Sequence, residues 1–364
     1  MLRLLTSGES HGPGLTAVLD GFPAGVKIAK NFIDAELARR QQGYGRGGRQ
    51  KIEKDEARIL SGVRHGLSLG SPITLFVENK DFQNWTEIMS AELPETKTPP
   101  ITRLRPGHAD YAGVVKYGFD DLRNVLERSS ARMTAAQVAA GAVCKQFLEN
   151  FKINIASKIL RIGGLENRAL SGVSHGYAVE TPIKNKIDEA RAKGDSLGGV
   201  VELNISGVPV GLGSYAQPDR KLDGRLGGAL LSLQAVKGVE IGLGFAAADL
   251  RGSQAQDEIF YKRGGVARQT NNAGGIEGGV SNGEDIIVRL AFKPIPTIAS
   301  PLNTIDWKTK KAAKAFVERA DTCAVEAGAV VAESIAAFVL AEAFLEKFGG
   351  DSLAEIKKHY TGKG

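Results

Sequence analysis

Two long, alanine-rich apolar stretches, at 120–151 and at 307–348, where an interruption is open, constrain the fold of this chain more than any other feature of its sequence. Their apolar residues recur at helical spacing, and the same spacing predicts a shorter helix at 31–40. Because alanine side chains are small, the backbones of two such helices can approach closely. We therefore expect the two long stretches to pack together as a helical layer that is covered by sheets.

Short runs typical of β-strands occur along the whole chain and alternate irregularly with the predicted helices. The strands are predicted at 2–6, 15–19, 73–77, 200–205, 239–243 and 286–292. The 45 glycines cluster in loops and not in an interdomain linker, which suggests loops whose backbone approaches a ligand. A length of 364 residues favours about two domains, although single α/β or α+β units of this size occur.

The charge balance favours anionic partners without naming them. Lysine and arginine number 47 against 41 aspartates and glutamates, so the net charge is +6. Nucleic acid, phosphate esters and carboxylates all remain open. The only cysteines, Cys144 and Cys323, lie in alanine-rich segments without metal-type spacing, which favours a reducing compartment.

Neither a secretion signal nor a membrane span is expected. The N-terminal sequence MLRLLTSGES lacks the long apolar run and small-residue cleavage site of a signal peptide. The most apolar stretch, 324–344, is interrupted by Glu326, Glu333 and Glu342. Three charges are too many for a membrane-spanning helix, so this stretch is predicted to be a buried helix.

One internal similarity is visible, between LSGVRHG at 60–66 and LSGVSHG at 170–176. Two interpretations stay open, a true duplication and two similar connections from a strand into a turn. Under the second interpretation His65 and His175 are ordinary turn residues. His359 belongs to a polar tail.

Two of the five histidines have unusual neighbours. His11 lies in SGESHGPG, where glycines free the backbone to approach a ligand and Glu9 and Ser10 add polar groups. His108 lies in RLRPGHAD, in a turn set by Pro106 and Gly107, where Arg103 and Arg105 place positive charge near the ring. Each could act as a general acid or base, and each could equally be a loop histidine.

The segment RRQQGYGRGGRQK, 39–51, contains the GxGxxG spacing of a dinucleotide-binding fingerprint. That interpretation fails because a charged helical stretch precedes the glycines, where the fingerprint requires a strand. We interpret the segment as a loop carrying Arg40, Arg46 and Arg49, whose guanidinium groups can bind phosphate or carboxylate oxygens. RNA binding is the rival interpretation. Against it, the RGG triplet occurs only once, and Tyr44 is the one aromatic residue interleaved with the basic residues of this segment.

Two further segments place arginine beside groups that suit a bound anion. In LERSSARMT, 126–134, Arg128 and Arg132 flank a serine pair inside an apparent apolar helix. Buried guanidinium groups require an anion, so we expect each to meet a carboxylate or a ligand phosphate; a salt bridge within the helix or between subunits is the alternative. Arg319 and Asp321 precede the last alanine-rich segment, where Asp321 could cap the helix or tune a proton-transfer group.

Taken together, seven motifs resemble those of the chorismate synthases, in that family's order and over nearly the whole chain. They are GESHG at 8–12, YGRGGR at 44–49, RPGHAD at 105–110, ERSSAR at 127–132, NNAGGIEGG at 271–279, KPIPT at 293–297 and RAD at 319–321. One departure is Ala320, where the family usually has serine or histidine, so one polar contact is in doubt.

The resemblance implies an α+β fold, a β-α-β sandwich with a helical layer between antiparallel sheets, in a single domain spanning 1–364. It implies a carbon–oxygen lyase of the shikimate pathway of aromatic amino acid biosynthesis. The reaction expected is the anti-1,4-elimination of phosphate from 5-enolpyruvylshikimate 3-phosphate to give chorismate. Reduced FMN is required without net redox change, NADPH is a possible reductant of the flavin, and no metal is implied.

The resemblance also implies a cytoplasmic homotetramer, with a separate flavin reductase as a potential partner and neither nucleic acid nor membrane as one. His11 is expected to protonate the departing phosphate, His108 to manage flavin protonation, and Asp321 to assist the flavin in taking the ring proton. The expected cofactor-binding residues are Arg40, Arg46, Arg128, Ser129, Ser130, Gln234, Ala235, Gly278, Lys293, Pro294, Ile295, Pro296, Thr297 and Arg319. The expected substrate-binding residues are Ser10, Arg49 and Arg132.

Overall fold

A computed structural model describes residues 1–48, 54–93, 98–168, 179–262, 265–318 and 320–362. The helices are α1 Lys30–Gln41, α2 Asp110–Tyr117, α3 Arg123–Ser129, α4 Thr134–Glu149, α5 Thr181–Ala192, α6 Leu222–Leu231, α7 Gly252–Ala255, α8 Val325–Phe348 and α9 Leu353–Thr361. The strands of the first half are β1 Arg3–Gly8, β2 Gly14–Asp20, β3 Ala57–Ser61, β4 Val63–Arg64, β5 Leu67–Ser68, β6 Ile73–Glu78, β7 Asn154–Ile162 and β8 Leu165–Glu166. Those of the second half are β9 Gly199–Ser206, β10 Val236–Ile241, β11 Ile259–Lys262, β12 Gly265–Arg268, β13 Ile276–Glu277, β14 Val280–Ser281, β15 Ile286–Phe292, β16 Asn303–Ile305 and β17 Ala312–Lys314.

Two antiparallel sheets enclose a helical layer. The first sheet has the strand order β1-β2-β6-β3 and the second has β10-β15-β9-β7-β8. Helix α4 packs on the first sheet and α8 on the second, and the two helices pack against each other. One apolar cluster runs through both sheets and the helices between them. The expected β-α-β sandwich is therefore confirmed.

Close approach of α4 and α8 depends on small residues, as the alanine content predicted. A methyl group added at Gly141 of α4 would overlap Ser334 of α8, so the two backbones nearly touch there. Within this contact layer Lys145 donates to Glu36 at 2.5 Å and to Glu333 at 2.6 Å. Burial alone would raise the pKa of Glu333, but Lys145 and Arg39 lower it to about 2. Helix α8 thus carries a buried, paired carboxylate.

Among the described residues α8 has the length and apolar composition of a membrane span, yet 78% of its most apolar window is buried inside the protein. The prediction of a buried helix at 324–344 is confirmed. Cys144 and Cys323 are both buried, and neither forms a disulfide.

Two predicted helices are shorter in the structure. The stretch at 120–151 is interrupted at Ser130, whose extended backbone (φ −61°, ψ 141°) ends α3 and whose hydroxyl caps the next turn by accepting from Arg132 N–H. The stretch at 307–348 becomes helical only at Val325. Before it, Asp306 accepts the N–H of Thr309 at 2.8 Å, which forms the turn of the β16–β17 hairpin. Local side-chain hydrogen bonds therefore override the apolar spacing at both places.

Candidate active site

A cavity of about 710 Å³ opens where the β1–β2 turn, the break between α3 and α4, the end of β15 and the start of α8 meet. Both histidines singled out in the sequence lie on its wall, so they do share one site. The predicted site residues on the wall are Ser10, His11, Arg40, Arg46, His108, Ser129, Ser130, Arg132, Gln234, Ala235, Lys293, Ile295, Pro296, Thr297 and Asp321.

His11 is held by a carboxylate from a distant part of the chain. Its backbone N–H donates to Glu127 Oε2 at 2.8 Å, and its ring Nδ1 lies 2.9 Å from Glu127 Oε1. Arg123 donates to the same Oε1 at 3.1 Å. Burial alone would raise the pKa of Glu127, but the hydrogen bonds and charge of His11 and the charge of Arg123 hold it below its usual range. Glu127 is therefore an anion, and Nδ1 of His11 is the nitrogen it engages.

A tryptophan covers the His11 ring. The centroids of His11 and Trp85 are 4.1 Å apart with the planes inclined by 31°. Arg123 lies over the Trp85 ring, 5.0 Å from its centroid. The imidazole is thereby fixed by a hydrogen bond at Nδ1 and by ring contact on one face, which leaves Nε2 as the nitrogen available to a ligand.

His108 is held by a carboxylate within its own turn. Nδ1 of His108 lies 2.5 Å from Asp110 Oδ1, and Arg105 reaches both oxygens of Asp110 at 2.9 Å. Burial alone would raise the pKa of Asp110, but His108 and Arg105 hold it well below its usual range. The positive charge that the sequence places around His108 is thus partly balanced by Asp110, which the motif contains but sequence reasoning did not single out.

The His108 turn is tied to the predicted cofactor segment. Arg105 donates to Thr297 Oγ1 at 3.3 Å and to Glu318 Oε2 at 3.2 Å. Lys293 Nζ donates to the carbonyl of Gly107 at 2.5 Å. Gly107 has φ +78°, a conformation in which a side chain would be strained, and this lets the turn bring His108 to the cavity.

A buried ion cluster forms another part of the wall. Arg40 donates to Asp55 Oδ2 at 2.7 Å and Arg132 donates to Oδ1 at 2.6 Å. Arg132 also donates to Asn79 at 2.8 Å. Burial, with the charge of Arg132 adding to it, lowers the pKa of Arg40 to about 10 although Asp55 opposes this, so Arg40 stays charged at neutral pH. The expectation that Arg132 meets a carboxylate is confirmed.

The arginine loop is anchored at the start of α8. Arg46 donates to Asp321 Oδ2 and the N–H of Gly47 to Oδ1, both at 2.6 Å. The residue that occupies the N-cap of α8 is Ala324, so the capping interpretation of Asp321 is wrong. Asp321 instead fixes the loop that carries Arg46 at the cavity.

Polar atoms without partners and apolar side chains share the remaining wall. Nε of Arg40, Nε of Arg46 and Oε1 of Gln234 are buried and have no hydrogen-bond partner among the described residues. Ala235 has φ +71°, and its carbonyl accepts from Lys293 N–H at 2.8 Å. Apolar wall positions include Leu126, Phe292 and Val331. Such a wall suits a ligand with a flat apolar part and polar edges.

Five predicted residues are not on this wall as described. Arg49 and Arg319 lie outside the described residues, as does the second copy of the internal similarity. Gly278 lies in the turn between β13 and β14, and Pro294 is not among the lining residues. Arg128 is exposed and donates to the carbonyls of Thr6 and Gly8, so the expectation that it is buried against an anion is wrong. Its predicted role in cofactor binding stays a prediction.

The described wall carries six basic side chains and three acidic ones, which favours an anionic ligand. Sequence reasoning missed Asp55, Trp85, Arg123 and Glu127. Asp55 lies in a charged segment with no motif, and Trp85 is distinguished only as one of two tryptophans. Glu127 begins the ERSSAR motif, which was the one available signal.

Comparison with known proteins gives one consistent result. The family model described as chorismate synthase matches residues 2–345. A chorismate synthase of Geobacter sulfurreducens is 54% identical over 100% of this chain and 98% of its own. One of Desulforudis audaxviator is 54% identical over 98% and 95%. A crystal structure of a chorismate synthase matches with a TM-score of 0.79 at 43% identity, over 100% of this chain and 97% of that one.

Proposed function

The chain belongs to the chorismate synthase family, and we propose that it is a lyase that eliminates phosphate from 5-enolpyruvylshikimate 3-phosphate to give chorismate. The observation that supports this most is that His11 and His108 line one cavity together with six basic side chains. The substrate carries two carboxylates and a phosphate, so the basic wall neutralises a charge that would otherwise be costly to desolvate.

Reduced FMN fits the described wall. Gln234 offers a buried, unpartnered Oε1 for a ring N–H, and Lys293 offers a cation on the same side. Ser129, Ser130 and the loop Ile295 to Thr297 complete the proposed binding surface. When bound, the reduced flavin supplies electron density to the reacting ring and recovers it, so no net oxidation occurs. Arg40 and Arg46 are the proposed NADPH contacts, and Arg128, Gly278, Pro294 and Arg319 remain proposed flavin contacts.

The chain's own residues would divide the proton transfers. His11 Nε2–H would donate to the phosphate oxygen that leaves, while Nδ1–H stays on Glu127. His108, with Nδ1 on Asp110, would hold a proton near the flavin. Asp321 would assist removal of the ring proton, with Arg46 and Gly47 N–H stabilising its carboxylate. Ser10, Arg49 and Arg132 are the proposed substrate contacts.

The test mixes the protein anaerobically with chemically reduced FMN and 5-enolpyruvylshikimate 3-phosphate. We expect phosphate release that requires the reduced flavin. No release, together with tight and salt-sensitive RNA binding, would contradict the proposal and favour the rival class.

A second measurement tests the substrate contacts. Arg132→Ala is expected to raise the substrate KM at least about tenfold, because a guanidinium contact to an anion contributes about 1.5–3 kcal/mol. Arg161→Ala is the control, since Arg161 is half exposed on β7 and its ion-pair contact within the described part of the chain is Glu166, at 3.8 Å. An unchanged KM and turnover in Arg132→Ala would remove its assignment.

We further propose a cytoplasmic homotetramer of single-domain chains spanning 1–364. Large exposed apolar side chains support association, among them Phe245 at 81% and Tyr261 at 76% exposure. The two free, buried cysteines suit a reducing compartment. Light scattering on the eluting protein would measure the assembly, and anaerobic incubation with FMN and NADPH alone would tell whether a separate reductase is needed.

A further inference from the structure

Glu127 binds the His11 turn through both its side chain and its main chain. Besides the two bonds from His11 to the carboxylate, the N–H of Ser10 donates to the Glu127 carbonyl at 3.0 Å. His11 and Glu127 are 116 positions apart in the sequence, and the Glu127 side chain is 3% exposed. The β1–β2 turn is thus docked onto the end of α3 by one residue.

This arrangement determines which nitrogen of His11 can exchange a proton. A carboxylate accepts hydrogen bonds but cannot donate them, so the nitrogen that faces it must carry hydrogen. Nδ1 therefore keeps its proton in both states of the ring, and proton exchange takes place at Nε2. The Trp85 ring, 4.1 Å away, opposes rotation of the imidazole that would exchange the two nitrogens.

We propose that Glu127 is a positioning residue that fixes the tautomer and orientation of His11, so that Nε2 is the proton-exchanging atom of the site. The inference rests on the proposed function for its kinetic consequence, though not for its structural one. In the step concerned, the Nε2–H bond of the imidazolium breaks and an O–H bond forms on the departing phosphate. The ring becomes neutral and retains Nδ1–H on Glu127.

The neighbouring charges are consistent with this role. Arg123, on the same helix, shares Glu127 Oε1. Asp81 accepts a hydrogen bond from Nε1 of Trp85, the residue whose ring contacts His11, at 3.2 Å. Glu9 lies in the His11 turn, and the Arg128 guanidinium is directed to the carbonyls of Thr6 and Gly8. Among the described residues, Glu127 is the carboxylate in hydrogen-bond contact with the His11 ring.

The kinetic experiment compares Glu127→Gln in the wild-type and His11→Ala backgrounds. We expect a turnover loss of about 100-fold in the first, with KM within about threefold, and a loss below about twofold in the second. The alkaline limb of the rate profile should move to lower pH, because the step requires a protonated His11 ring and an amide no longer stabilises the imidazolium. Equal losses in both backgrounds, or an unmoved profile, would overturn the proposal.

Glu166→Gln is the matched control, because Glu166 is 64% exposed on β8 and should leave rate and profile unchanged. Should Glu127→Gln fail to fold, Glu127→Asp replaces it, and the same double-mutant comparison applies. The shorter side chain is expected to retain part of the turnover.

A spectroscopic readout separates this inference from the proposed function. In protein labelled with ¹⁵N-histidine, the His11 signal is assigned by its loss in His11→Ala. A neutral ring with its proton on Nδ1 supports the inference, and a proton on Nε2 overturns it, even if the wild-type protein releases no phosphate. Absence of phosphate release from wild type would contradict the proposed function alone.

Discussion

The two histidine sites are built from the same parts in different ways. In each, the ring Nδ1 meets a buried carboxylate that also binds an arginine. His108 and Asp110 are two residues apart in one turn, whereas His11 and Glu127 are 116 apart and join two elements. The His108 unit is therefore assembled locally, and the His11 unit exists only once the chain has folded.

The arginines differ as well. Arg105 binds both oxygens of Asp110 and is 6% exposed. It also donates hydrogen bonds to Thr297 and Glu318. Asp110 therefore binds a buried cation as well as a histidine. Arg123 reaches one oxygen of Glu127 and is partly exposed. We infer that Asp110 contributes more to stability, and that Glu127 acts mainly through His11.

The largest expected effect is on turnover. His11→Ala and His108→Ala should each lower kcat by about 10²- to 10⁴-fold while the proteins still fold, because each removes a proton-transfer group. The comparison is sharpened by measuring FMN binding through flavin fluorescence. We expect His11→Ala to bind FMN with the wild-type dissociation constant and His108→Ala to bind it with a changed one. Wild-type rates in both variants would remove the assigned roles.

The next effect is on stability. Asp110→Asn should lower the free energy of unfolding by about 3 kcal/mol, because it removes the carboxylate that binds buried Arg105 through both oxygens and leaves only the longer contact to Glu318. Glu127→Gln should cost about 1–2 kcal/mol, since Arg123 can reach water. Urea unfolding measures both. A larger loss for Glu127→Gln would break the distinction between the two sites.

The pH dependence gives a smaller and separate check. Both carboxyls have lowered pKa values in the folded protein, Asp110 well below its usual range. Each therefore stabilises the fold above the ordinary carboxyl pKa near 4, and the contribution declines as pH falls through the folded value. Between pH 7 and pH 3 the stability deficit of Glu127→Gln should shrink before that of Asp110→Asn. The reverse order would show that the two environments had been assigned incorrectly.

The sequence predicted the layers better than the contacts that build the site. Alanine spacing indicated the close helix pair, and strand β15 was predicted at its observed bounds. The family resemblance identified fifteen residues that line the cavity. The break at Ser130 was missed because it depends on a hydroxyl accepting one N–H, which apolar spacing does not encode.

Long-range partners could not be read from the chain. Asp55 lies in the charged run IEKDEA, and nothing local indicates that it will join Arg40 to Arg132. Glu127 has the same limitation, since its partner His11 is 116 residues away in the sequence and is brought near only by the fold. Asp110 could have been predicted from the sequence, because its partners His108 and Arg105 are only two and five residues away.

The smallest expected effect concerns the ring that distinguishes the His11 site. Trp85→Leu keeps an apolar side chain but removes the ring contact, which contributes about 0.5–1.5 kcal/mol. Because Glu127 still holds Nδ1, we expect kcat to fall no more than about tenfold and the pH profile to keep its shape. Steady-state rates between pH 5 and pH 9 provide the measurement. A loss as large as that of Glu127→Gln would mean that ring contact, and not the carboxylate, orients His11.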